Sequence, residues 1–127
     1  MNLTHLKRVS IPVSDQDKAK AFYSETLGFN VLLDLPTPMG ENSRWIEVAP
    51  DGAATSLILA NWLPNMSPGG VGGLMIETTD LAADVAAISA AGVEVEGPFD
   101  TPFGKQATFA DPDGNGYVLV QHGEEQG

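Results

Sequence analysis

The chain has 127 residues, 43% hydrophobic and 18% charged, with no cysteine and a formal net charge of −11. That is one domain's length, enough to bury about two-thirds of its unfolded surface. The missing cysteines exclude disulfides, thiolate metal sites and a cysteine nucleophile, and six basic residues against seventeen acidic ones argue against nucleic acid or anionic membranes as partners, since both require clustered Lys and Arg.

No window reaches the ~20 apolar residues of a membrane span. The opening Met1-Asn2-Leu3-Thr4-His5-Leu6-Lys7-Arg8 lacks the apolar core of a signal peptide, so the expected location is cytoplasmic.

In chain order, Val9-Ser10-Ile11-Pro12-Val13 alternates as a strand with Val9, Ile11 and Val13 on one face. Ser14, with Asp17 three residues on, predicts a capped helix start. Ala19, Phe22, Tyr23 and Leu27 follow at helical spacing, and Gly28 supplies the end. Residues 29–35 read as a second strand and 36–42, rich in Pro and Gly, as a loop. Residues 44–48 alternate as a third strand, Pro50-Asp51-Gly52 turns, and 55–60 form a fourth.

After a linker at 61–70 the same order recurs. Residues 73–77 are a strand, Thr79-Asp80 a cap, and Leu81, Val85 and Ile88 a helical stripe ended by Gly92. A strand at 93–95, a loop at 97–104 and a hairpin over 105–120 complete it, its turn made by Asp111-Pro112-Asp113-Gly114-Asn115. Asp15 matches Asp80, Gly28 matches Gly92, Arg44 matches Lys105, Asp51-Gly52 matches Asp113-Gly114, and Leu57 matches Val118. The chain therefore reads as α+β: two βαβββ modules, 5–61 and 71–122, within one domain, expected to share a sheet because neither half can bury a helix and both sheet faces alone.

Three pieces carry a resemblance: Ile11-Pro12-Val13-Ser14-Asp15, Ala21-Phe22-Tyr23-Ser24-Glu25-Thr26-Leu27-Gly28-Phe29, and Phe109-Ala110-Asp111-Pro112-Asp113-Gly114-Asn115. With them the sequence resembles the vicinal oxygen chelate superfamily of glyoxalase I, extradiol dioxygenases and bleomycin-resistance proteins. The resemblance implies an open, cup-shaped mixed sheet with helices on its convex side and a homodimer. In metal-using members it also implies four ligands, one from the first and one from the fourth strand of each module, around a divalent ion. Carried onto this sequence, those positions are Arg8, Leu57, Gly73 and Val118. None offers a lone pair, so the expectation is no metal and no cofactor.

Other patterns carry less. Asp111-x-Asp113-x-Asn115 looks like half of a calcium loop, but His122 stands where the bidentate Glu belongs and Pro112 interrupts it. There is no Gly-x-Ser-x-Gly elbow, and His5 and His122, the only histidines, read as surface residues. Period two places Arg8 and Ser10 in the cup. A guanidinium there needs a partner, and Glu47, beside Trp45, is the candidate, the pair reading either as structural or as the anchor of an anionic or carbonyl-bearing ligand. The same parity puts Leu57, Leu59, Gln106, Thr108, Val118 and Val120 on the cup wall, with Met39, Trp62 and Met66 in loops beside it. The expected ligand site is thus Arg8, Ser10, Trp45, Glu47, Leu57, Gln106, Thr108 and Val118, holding a small molecule. Three activities stay open: a metal-free binding protein, a divalent-metal lyase or dioxygenase, and a metal-independent enzyme using Arg8 and Glu47.

Overall fold

The structure, a computed structural model, describes residues 1–121; His122 lies outside the described residues. Its elements are β1 (Arg8–Pro12), α1 (Gln16–Ala21), a π-helical turn (Phe22–Thr26), β2 (Asn30–Pro36), β3 (Arg44–Ala49), β4 (Ser56–Ala60), β5 (Leu74–Glu77), α2 (Leu81–Ala90), β6 (Glu96–Thr101), β7 (Gly104–Ala110) and β8 (Gly116–Gln121). Each module is a four-stranded mixed sheet, ordered β1-β4-β3-β2 and β5-β8-β7-β6, with the first strand parallel to the fourth. No helix of the described chain is long and apolar enough to cross a membrane.

The duplication is visible at the caps. Asp15 and Asp80 each accept a hydrogen bond from the backbone N–H three residues on, Lys18 at 3.0 Å and Ala83 at 3.1 Å, satisfying a donor the helix cannot. Asp15, not Ser14, is therefore the cap of α1, and Ser14 is spent elsewhere. Gly28 and Gly92 close the helical segments at φ +73° and +89°, a region that penalises any side chain.

Glu96–Thr101 is a strand where a loop was expected, and no strand forms at 93–95. Pro98 lacks the N–H of a ladder, but β6 is the sheet's edge, where that loss is tolerated.

The modules are joined by side chains rather than by a shared strand pairing, so the strands form two sheets and not one continuous ladder. Phe22 and Tyr23 on the first helical segment pack against Phe109 and Tyr117 of the second sheet, with ring centroids 6.3 Å and 6.0 Å apart. One apolar core results, drawing Ile11, Ile46, Val48 and Leu59 from one module and Ala107, Phe109 and Leu119 from the other. Both sheets turn the same face toward that core. Their opposite faces are turned outward, and there the parity residues stand, Leu57 and Leu59 excepted.

The Asp-Pro-Asp-Gly-Asn turn is the clasp of this seam. Asp111 accepts from Tyr23 Oη (2.7 Å), from Asn115 Nδ2 (2.8 Å) and from the backbone N–H groups of Asp113 and Asn115. Asn115 Nδ2 also donates to the Pro12 carbonyl at 2.9 Å, and Asp113 takes both the hydroxyl and the N–H of Ser14. Tyr23 gives its one proton to Asp111, so Tyr117 donates to Tyr23 across 2.7 Å. Burial first, then Tyr117 and Asp111, push the Tyr23 phenol far above its ordinary value; burial does the same to Tyr117. The calcium-loop look of the motif is thereby accounted for, since its polar groups are consumed in joining the modules.

Candidate functional site

Register fixes which side chains share the outer face of the first sheet. Arg8 is opposite Ser56, Ser10 opposite Ile58, Glu47 beside Ile58, and Leu33 and Leu35 opposite Glu47 and Trp45. Paired residues point the same way, so Arg8, Ser10, Trp45, Glu47, Ser56 and Ile58 form one surface.

Leu57 is not on it. It pairs with Val9 and Val48 and points into the seam, lining a cavity of about 520 Å³ with Leu74 and Tyr117. Leu59, fully buried in the common core, goes with it. The expectation for both was one residue out of phase. Val13 N–H donates to the Ala60 carbonyl as Thr78 N–H does to that of Val120, both at 2.9 Å. Ala60 thus matches Val120, and Ile58 rather than Leu57 matches Val118. The chemistry of the four family positions is unchanged: Arg8, Ile58, Gly73 and Val118 offer no lone pair to a divalent ion, and these residues do not fit one. Among the described residues no three His, Cys, Asp or Glu side chains stand close enough to hold a metal.

Arg8 and Glu47 meet as expected. Arg8 Nε donates to Glu47 Oε1 at 3.0 Å, Trp45 Nε1 donates to the same oxygen at 3.2 Å, and Ser56 Oγ donates to Oε2 at 2.7 Å. The Glu47 side chain is 8% exposed and that of Arg8 40%. Burial pushes the Glu47 carboxyl up, but the bonds from Ser56, Trp45 and Arg8 outweigh it and hold the group below its ordinary value. Glu47 is an anion already engaged by three donors, a poor general base.

Trp45 stacks on Trp62 of the linker, with centroids 6.1 Å apart and planes 25° apart. The linker is pinned so that it can. Ser43 Oγ donates to Asn61 Oδ1 at 2.7 Å, and Gly40 lies so close that a Cβ there would meet Trp62 Cβ at 2.8 Å. Ser56, Ile58 and Gly40 are the site residues that the sequence reading missed. Gly40 had a signal, a glycine between two prolines and a tryptophan strand, but nothing in sequence joins it to Trp62. Met39 and Met66 stay exposed.

On the second module, Gln106 pairs with Val120 and Thr108 with Val118 on its outer face, as parity required. No hydrogen bond or ring contact among the described residues joins this group to Arg8, Trp45 and Glu47. Within one chain the expected site is two half-sites. His5 is exposed, its Nδ1 3.1 Å from Thr4 Oγ1.

Paired βαβββ modules, a clasped inter-module turn and an outward sheet face bearing Arg, Trp and buried Glu define a two-module member of the α+β class. The chain belongs to the Glyoxalase/Bleomycin resistance protein/Dioxygenase superfamily, whose family model matches residues 5–119. It is similar to TnmS3, an antibiotic binding protein from Streptomyces sp. CB03234: 50% identity, 97% of this chain and 99% of that one covered, TM-score 0.93. UcmS2 is 32% identical over 94% of this chain and 98% of its own, TM-score 0.80. The uncharacterized protein YetH of Bacillus subtilis (strain 168) is 34% identical over 89% of this chain and 94% of its own length.

Proposed function

We propose that this protein is a metal-free binding protein that holds a small organic molecule on the outer face of its first sheet, at Arg8, Ser10 and Trp45, with Glu47, Ser56 and Ile58 buried behind them. The observation that carries this reading is the Glu47 cluster. A carboxylate taken up by three donors leaves Arg8 and the Trp45 ring presented and fixed, which suits recognition better than proton transfer. The likeness to an antibiotic binding protein supports the same reading.

The protein works as a cytoplasmic homodimer, in which the half-site of Gln106, Thr108 and Val118 on a second copy closes over the first. Large apolar side chains on the two modules support this, since Leu35 is 55%, Met75 68% and Phe103 71% exposed. An aromatic antibiotic titrated into the protein should quench tryptophan fluorescence, because Trp45 and Trp62 are the chain's two tryptophans. Arg8→Ala should weaken binding by about tenfold or more, the worth of a hydrogen bond to a charged group, while sedimentation still reports a folded dimer. Unchanged binding by Arg8→Ala, or a monomer that binds at full affinity, contradicts the reading.

A further inference from the structure

Arg8 spends one of its donors. Its Nε is bound to Glu47, while its two terminal nitrogens have no partner among the described residues and its side chain is 40% exposed. Trp45 has given its only N–H to the same Glu47 oxygen, 3.2 Å away, so its indole offers nothing but its π face. One oxygen therefore anchors both a guanidinium with spare N–H groups and an aromatic ring, and sets them side by side. Leu33 and Leu35 on the same face, both exposed, add apolar surface without another donor.

We propose, building on the binding reading above, that the ligand is a planar aromatic molecule with a hydrogen-bond-accepting oxygen, carboxylate or carbonyl, at its edge, and that Glu47 is a positioning residue that acts on it only through Arg8 and Trp45. The ring lies against the tryptophan wall and the edge oxygen takes the terminal N–H groups of Arg8. Guanidinium donors are matched to such oxygens and have no use for a cation. The net charge of −11 does not bar an anion from the site, because charges beyond about 8–10 Å are screened at physiological salt. The nearest carboxylate, Glu47, is already neutralised by Arg8.

Three naphthalene probes of one size separate the possibilities: 2-naphthoate, 2-acetylnaphthalene and the 2-naphthylmethylammonium cation. Binding is followed by tryptophan fluorescence, and the wall itself by the exciton couplet of the Trp45–Trp62 pair in circular dichroism. Both oxygen-bearing probes should bind about tenfold or more tightly than the cation; naphthoate leading acetylnaphthalene identifies an acid, the reverse order a neutral carbonyl. Arg8→Gln should erase the preference while keeping the couplet, with Arg8→Lys between the two. Glu47→Gln should weaken oxygen-bearing probes in the native background and cost clearly less in Arg8→Gln, a non-additivity that a purely structural role does not produce. If the cation binds as well as naphthoate, or if the Glu47→Gln and Arg8→Gln losses simply add, the inference falls while the binding site stands. If none of the three probes perturbs the tryptophan pair, the binding reading falls with it.

Discussion

At the residue scale, two buried carboxylates have opposite fates. Asp111 is 5% exposed and accepts four donors, binding one module to the other. Glu47 is 6% exposed and accepts three, and its donors are the presented groups of the outer face. The chain has only two tyrosines, both in the clasp, which makes the clasp measurable. A phenol whose pKa is raised on folding contributes stability that is intact below its ordinary value of 10.0 and is lost as pH climbs above it. Alkaline titration should therefore show no phenolate absorbance until the fold is lost, both tyrosines then ionising together. A phenolate band that grows in near pH 10 with native circular dichroism contradicts the clasp. Tyr23→Phe, which leaves Asp111 short of a donor, should cost about 1–3 kcal/mol in denaturant unfolding.

At the element scale, what sequence revealed and what it hid follow from the same physics. Period-two alternation placed Arg8, Ser10, Trp45, Glu47, Gln106, Thr108 and Val118 on their outer faces, because a strand buried on one side must alternate. It failed in β4, where Ser56-Leu57-Ile58-Leu59-Ala60 is buried on both faces and gives no alternation to read. Its pairing with β1 and β3 and the hydrogen bond from Val13 to Ala60 set its phase. Leu57→Ala should accordingly lower stability, by about 1–3 kcal/mol for a half-buried leucine, and leave ligand affinity unchanged. A loss of affinity with unchanged stability would return Leu57 to the binding face. The Trp45–Trp62 stack was hidden for another reason: it depends on a glycine, Gly40, meeting a tryptophan twenty-two positions on.

At the scale of the whole molecule, the duplication was legible from capping aspartates and terminal glycines. Less legible was how the halves meet, because Tyr23, Phe22, Phe109 and Tyr117 look in sequence like ordinary core. Their contact fuses the inner faces and sends the two outer faces apart, so a chain that carries every wall of a cup carries them as separate halves. Metal-using relatives would need ligands where this chain has Arg8, Ile58, Gly73 and Val118. Binding an aromatic ligand through Arg8 and the tryptophan wall requires no such ion. The most direct test is calorimetric titration of 2-naphthoate into the protein before and after exhaustive dialysis against EDTA. The expected result is the same affinity and stoichiometry in both, with no metal in the dialysed sample. Binding that vanishes on chelation and returns with a divalent cation contradicts it.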